Sequence, residues 1–417
     1  EVAQIVITSD IDERARFEKS SGIWMMHEPH QDRADFTALQ TIAFAASNMR
    51  IEGSVPRSEV DEEAFGFAAG SHTVEIIDGS GARLAYYQVG RRSALHRLVP
   101  DKEEVHESLF IKPLDLDSGH IYVCSGVNIR PVLRSGVSAL RDRHPFLFDP
   151  ERLAGVQVKR EGSLLQLERK TPNLPWRIKK PLDLLADDEA VDGLLTSLKN
   201  LEALRVSDPD AVTSTSDGSN GAWLEISLRE FPTSPDKEGA SATLRVDAPA
   251  GDTATTVLAT VDNRAGAAVF ELPLSAAGAP GLAQLPIEVN QLRSKSLLAR
   301  DFLSCTAIEI HGTNETSPVF LQRDLNTRTG KFRWRYNGPN GLALANERTL
   351  EKLYRALQFS KVAGFASDAP ADLAEFGLAD PSKRLVLHFG PDNSVEIQFG
   401  HVEEEEAVGA SYYAIQK

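Results

Sequence analysis

Four short constellations hold the side chains best placed to do chemistry. His27-Glu28-Pro29-His30 gathers two imidazoles and a carboxylate within four residues, as a zinc site can begin, but no third ligand follows at a recognisable spacing. Asp115-Leu116-Asp117-Ser118-Gly119 resembles half of a calcium loop whose further acidic positions are out of register, so it reads as a polar hairpin turn. Gly79-Ser80-Gly81 lacks the third glycine and the following helix of a dinucleotide loop, and reads as a turn. Glu403 to Glu406 lies between Phe399-Gly400 and Tyr412-Tyr413 and reads as a solvated hairpin tip. There is no G-x-S-x-G elbow, Walker loop or H-E-x-x-H pair. Cys124 and Cys305 have no metal-ligand spacing and read as separate buried thiols, with a disulfide as the alternative. The reading therefore assigns no catalytic residue, no metal ligands and no cofactor. An acid/base pair assembled in space from the many carboxylates stays open.

The elements that position these residues must come from a chain of 417 residues, two to three domains at roughly 150 residues each. Its 41% hydrophobic content is that of globular domains with real cores. A net charge of −15 argues against wrapping a phosphate backbone, so nucleic acid is excluded as a broad partner. The longest suspicious apolar stretch, Leu272 to Val289, is broken by Pro273, Pro280 and Pro286 and cannot serve as a membrane helix. The chain enters the strand-like Gln4-Ile5-Val6-Ile7 almost at once, and the reading expects an upstream signal or anchor to have been removed.

Self-similarity is the strongest signal. Trp24, Trp176 and Trp334 are each followed five positions later by proline: Pro29, Pro181 and Pro339. Beyond each proline comes an alanine and a helix-capping residue, Ala34-Asp35, Ala186-Asp187 and Ala345-Asn346. From each cap an apolar stripe at helical spacing follows: Leu39, Ile42, Ala43, Ala46; Val191, Leu194, Leu195, Leu198; Leu350, Leu353, Tyr354, Leu357. Ahead of each tryptophan lie two alternating strand segments, such as Val156-Gln157-Val158 with Leu164 to Leu167.

After the helix, the first and third segments converge on Phe65-Gly66-Phe67 and Phe376-Gly377-Leu378, then on Val89-Gly90 and Phe399-Gly400. The second lacks that turn and carries polar insertions at Ser214 to Gly221 and Pro232 to Gly239. Leu140-Arg141-Asp142-Arg143 and Leu292-Arg293-Ser294-Lys295 close the first two segments, and their arginines are expected to pair with acids of the adjoining segment. The third stops before any such linker, so chain beyond Lys417 is expected. The recurring Trp-x4-Pro is read as packing: the indole buries against the helix stripe while proline ends the strand. Aromatic platforms for sugar or peptide are the alternative, with Tyr86, Tyr87, Tyr412 and Tyr413 as exposed candidates.

These residues resemble the bacterial domain-of-unknown-function family 4340, with its Trp-spacer-Pro strand end, capped helix and Phe-Gly-Leu-x-x-Pro turn. The closest segment runs through Trp334, Asn346 to Leu357, and Phe376-Gly377-Leu378-Ala379-Asp380-Pro381. The first segment keeps Phe65-Gly66-Phe67 without the later proline, and the second loses the turn. The resemblance brings no catalytic residues. It implies a periplasmic or extracytoplasmic body anchored to the inner membrane by an N-terminal segment, associated with ABC-type gliding or auxiliary transport.

The expectation is an α+β protein of three tandem repeats, each an antiparallel sheet with a helix packed on one face. Their bounds are 1–150, 151–303 and 304–417, and their structural residues are Trp24, Pro29, Asp35, Gly66, Trp176, Pro181, Asp187, Trp334, Pro339, Asn346 and Gly377. The expected function is a non-enzymatic binding or scaffold protein whose partner is a membrane transporter or another envelope protein. The alternatives are an envelope-polymer hydrolase or lyase, and a glycan- or peptide-binding protein, with a site in a cleft between repeats.

Overall fold

A computed structural model describes residues 1–9, 14–98, 105–116, 118–126, 129–211, 222–234, 236–262, 264, 266–275, 281–312, 318–325, 332–338, 341–400 and 413–416. It is built on three antiparallel sheets with a few helices, an α+β architecture. The first sheet holds β1 (Val2–Ser9), β2 (Ala15–Ser20), β3 (Ile23–Glu28), β4 (Asp32–Arg33), β5 (Arg50–Pro56), β6 (His72–Asp78), β7 (Arg83–Leu98), β8 (Val105–Pro113) and β9 (His120–Ser125). Their order is β4-β3-β2-β1-β6-β7-β8-β9-β5.

The second sheet holds β10 (Leu153–Arg160), β11 (Ser163–Glu168), β12 (Arg177–Lys180), β13 (Leu184–Leu185), β14 (Arg205–Ser207), β15 (Leu224–Glu230), β16 (Ser241–Val246), β17 (Thr256–Val261) and β18 (Val269–Pro273). It repeats the first order strand for strand, β13-β12-β11-β10-β15-β16-β17-β18-β14. The third has seven strands: β19 (Ala307–Gly312), β20 (Val319–Leu325), β21 (Phe332–Gly338), β22 (Gly341–Leu344), β23 (Lys383–Gly390), β24 (Asn393–Phe399) and β25 (Ala414–Gln416). Ordered β22-β21-β20-β19-β23-β24-β25, they match the corresponding part of the other two sheets.

The three long helices are α1 (Phe36–Asn48), α2 (Asp188–Lys199) and α3 (Glu347–Phe359). Each begins where a short side-chain acceptor satisfies a free amide of the first turn. Asp35 accepts from Ala38 N at 2.8 Å, Asp187 from Ala190 N at 3.3 Å and Asn346 from Thr349 N at 3.1 Å. Just before each cap, the alanine amide donates to the tryptophan carbonyl: Ala34 to Trp24 at 2.9 Å, Ala186 to Trp176 at 3.0 Å and Ala345 to Trp334 at 2.9 Å. The peptide bonds Glu28-Pro29 and Lys180-Pro181 are both cis, and Pro339 lies outside the described residues.

The indoles are not equally enclosed. Trp24 is 1% exposed and shares a buried cluster with Phe17, Met26 and the α1 residues Leu39, Ile42 and Ala45. Trp176, at 2%, lies one residue ahead of β12 and shares a cluster with Val191, Leu194, Leu195 and Leu198 of α2. Trp334 is only half-buried, with Phe302 stacked at 6.4 Å between centroids.

Gly66 and Gly377 close short turns in the left-handed region, at φ 79° and 63°, where a β-carbon is disfavoured. Both turns have the same wrapped bonding: Phe67 N donates to Glu62 O at 2.7 Å and Leu378 N to Leu373 O at 2.9 Å. Each is pressed onto a glycine of the sheet, since a β-carbon at Gly90 would collide with Phe65 O, and one at Gly400 with Phe376 O. The turn's first ring meets a neighbour in both cases, Phe65 with Phe110 at 4.5 Å and Phe376 with Tyr413 at 5.1 Å.

The chain forms two compact units, Glu1–Leu292 with the first two sheets and Arg293–Lys417 with the third. Among the described residues no helix is long and apolar enough to cross a membrane.

Candidate functional site

The densest chemistry lies within the first compact unit, where β4 and the segment after the first sheet meet the second sheet. Asp32 ends the turn after cis-Pro29 and is wholly buried. A buried carboxylate persists as a charge only when cations and donors replace its water. Asp32 has several: Arg141 Nε at 2.8 Å, Arg264 Nε at 2.5 Å, Arg264 Nη2 at 3.1 Å and the Arg33 amide at 2.8 Å. The guanidiniums of Arg141 and Arg264 are themselves 1% and 2% exposed, so this is a dry, forked pairing.

Both arginines continue outward. Arg141 Nη1 donates to Asp208 Oδ1 at 2.9 Å, which ties the linker to the second sheet's portion of the chain. Arg264, from the β17–β18 connection, donates to the carbonyls of Asp142 at 2.6 Å and His144 at 3.0 Å, and stacks 4.7 Å over the Phe270 ring. Gly266 in the same connection passes so close to the Gln31 carbonyl that a β-carbon would overlap it. Backbone bonds complete the junction: Asp35 N to Leu140 O at 2.8 Å, Asp142 N to Arg33 O at 2.9 Å and Ala203 N to Arg143 O at 2.9 Å.

Around this core the titrating groups are tuned by their neighbours. Burial and the nearby Arg264 charge lower Arg33 to about 10, against the opposing pull of Asp142 and Asp32. Burial alone would raise Asp142, but the hydrogen bond from His144 and the charges of Arg33 and Arg264 outweigh it and hold its carboxyl below the ordinary range. His144 is raised, chiefly by its 2.9 Å hydrogen bond to Asp142.

Beside the cluster lies a cleft of about 300 Å³. Met25, Phe146, Phe148 and Leu228 form apolar wall, and Arg33, Arg264, Glu230 and Asp262 also line the cleft, the Arg264 guanidinium being turned to Asp32. Those carboxylates are occupied: Glu230 pairs with Arg152 at 3.1 Å and Asp262 with Arg245.

The residues singled out in the sequence mostly separate. His27 turns to Glu18 at 3.6 Å, Glu28 to Arg14 at 3.0 Å and Arg16 at 3.1 Å, and His30 to Asp208 at 3.4 Å. Among the described residues no group of three or more His, Cys, Asp or Glu side chains is placed to hold a metal. Cys124 and Cys305 are free, buried thiols. Asp117, Glu403 to Glu406, Tyr412 and the insertion Ser214 to Gly221 lie outside the described residues.

The expectation of an exposed Tyr87 is corrected: it is 6% exposed, because β7 turns that side chain into the first core. Tyr86 is half-buried beneath Arg83, 4.7 Å from its ring. Arg141 and Arg293 play parallel parts, since Arg293 pairs with Asp368 at 2.5 Å as Arg141 does with Asp208. Lys295 O then accepts from Val362 N at 2.8 Å, as Arg143 O accepts from Ala203 N. Sequence reasoning missed Asp32, Asp208 and Arg264.

Residues 24–175 match the family model described as Domain of unknown function (DUF4340). The matched span begins at Trp24 and ends one residue before Trp176. No curated protein and no solved structure matches the chain.

Proposed function

We propose that the chain is a non-enzymatic binding or scaffold protein made of three tandem α+β repeats, about 1–150, 151–303 and 304–417, each an antiparallel sheet with a helix packed on one face. In this reading the body is extracytoplasmic, anchored to the inner membrane in its full-length form, and serves an ABC-type transport complex as an auxiliary component. The observation that carries the passive role is Asp32: this wholly buried carboxylate accepts from two buried guanidiniums and a backbone amide, which leaves it no face for a substrate. Such a group joins parts of a chain. The family match over residues 24–175 supports the resemblance, and the envelope setting is what that resemblance implies. Affinity capture of the full-length protein from solubilised membranes tests the reading: a transporter or envelope partner is expected, and recovery of neither would end it.

A second reading rests on the cleft beside the ionic cluster. Its apolar wall suits a peptide or the face of a glycan, and the engagement of Glu230 and Asp262 by arginines favours binding over hydrolysis. Thermal-shift measurements with envelope glycans and short peptides test it, since a ligand of the native state raises the melting temperature by mass action.

A further inference from the structure

One of the three long helices has an outer face unlike the other two. α1 buries Leu39, Ile42 and Ala45 in the first core, and on the opposite side, at helical spacing, stand Phe36, Gln40 and Phe44. Both rings face solvent, Phe36 at 53% exposed and Phe44 at 54%. The helix has no charged side chain anywhere between Phe36 and Asn48. Its hydroxyl and amide groups bend back onto its own carbonyls, so its flanks ask little of water: Thr41 Oγ1 donates to Thr37 O at 2.8 Å, Ser47 Oγ to Phe44 O at 3.1 Å and Asn48 Nδ2 to Phe44 O at 2.9 Å.

The other helices supply the comparison. Counted from each cap, the places of Phe36, Gln40 and Phe44 are held by Asp188, Asp192 and Thr196 in α2 and by Glu347, Glu351 and Arg355 in α3. All six are exposed, and Glu351 and Arg355 pair at 3.0 Å. α2 has chain before and after it, so the linkers of this architecture leave the outer helix face open, and only α1 makes that face apolar. Two aromatic rings on one uncharged stripe mark a contact surface rather than scattered exposure.

The order of residues selects the occupant. Phe36 and Phe44 stand at equal spacing either side of Gln40, so the stripe reads the same in both directions. Laid antiparallel on a second copy, each Phe36 meets the other's Phe44, and the two Gln40 side chains meet at the two-fold axis, where each carboxamide offers the other a donor and an acceptor. Among the described residues nothing else bonds the Gln40 carboxamide. A bilayer surface is a poorer match, since a helix seated there carries Lys or Arg beside its apolar face, and α1 has neither in a chain of net charge −15.

We infer that the outer face of α1 is a homodimer contact, in which two copies of the chain pair antiparallel through Phe36 and Phe44 about a two-fold axis at Gln40. Confined to one helix and its copy, the contact belongs to the small class of interface under about 1,200 Å² in total, so the dimer is weak and governed by concentration. It stands apart from the transport role and needs no other protein.

Sedimentation velocity of the whole chain between about 1 and about 200 µM is expected to show a monomer–dimer equilibrium. Phe36→Lys and Phe44→Glu are each expected to weaken dimerisation about tenfold or more. An equimolar mixture of the two variants should recover association, because antiparallel pairing sets the introduced charges against each other and joins the two remaining phenylalanines. Gln40→Cys should cross-link to itself under mild oxidation, while Asp192→Cys, at the same place on α2, should not. Circular dichroism follows helix content in every variant. A chain that stays monomeric over the whole range, dimerisation unchanged by Phe44→Glu, or a mixture no stronger than its components overturns the inference. In a monomeric chain, flotation with phosphatidylglycerol–phosphatidylethanolamine vesicles that Phe44→Glu abolishes would give the face to a bilayer instead.

Discussion

Asp32 concentrates the energetics of the first unit in one side chain. Asp32→Asn keeps the shape but leaves the buried Arg141 and Arg264 charges facing a neutral acceptor. Breaking a buried pair from one side costs about 3–5 kcal/mol, so urea unfolding should show a loss of that order. The Asp142–His144 pair acts over a pH window. His144 is raised, so its contribution is complete below about pH 6.5 and fades as pH climbs through its folded value; Asp142 is lowered, so its contribution is present above about pH 4 and fades as pH falls through its folded value. The pair therefore helps most between those limits, and the stability gap between wild type and His144→Gln should narrow as pH climbs through the raised folded value of His144. His144 is nearly half exposed and solvent screens part of the effect. Burial and the Glu52 charge push the Cys124 thiol up to about 11, and burial raises Cys305 as well. Both should resist a disulfide exchange reagent at pH 7.5 until denaturant is added, as a colorimetric thiol count would show.

At the scale of the element, the same strand-turn-helix arrangement is enclosed to different degrees. Trp176→Ala empties a closed core and should cost about 3–5 kcal/mol, while Trp334→Ala, at a half-exposed site, should cost clearly less; denaturant midpoints of the two variants measure the difference. The Phe-Gly turn makes a sharper demand. A methyl group at Gly90 would stand 2.5 Å from Phe65 O and 2.9 Å from two Phe67 ring atoms, so Gly90→Ala should destabilise by about 1–3 kcal/mol in the same assay.

Much of this level was legible in the chain, for physical reasons. Asp35, Asp187 and Asn346 are capping side chains at fixed distance from a tryptophan, and Leu194, Leu195 and Leu198 lie on one helical face, so both patterns are local. The junction was legible only at Arg141, whose place in a recurring linker marked it. Asp32 gave no signal because Leu184 and Leu342 stand at its counterparts, and Arg264 reaches it across 232 positions from a hairpin connection. Asp208 could have been found: Asp368 lies at nearly the same distance beyond the third helix, and each meets a linker arginine.

For the molecule as a whole, the two compact units each hold their own buried core. Calorimetry should resolve more than one transition, and Asp32→Asn should lower the one belonging to residues 1–292 while leaving the other within about a degree. Within that first unit, Gly266 sets the tolerance of the arrangement. Its lack of a side chain lets one sheet's hairpin lie flush on the other's turn, and the Gln31 carbonyl fills the room a methyl group would need. Gly266→Ala would then work as a wedge: each sheet keeps its own hydrogen-bond ladder, yet Arg264 is levered away from Asp32, and the two halves of this compact unit would come apart in sequence.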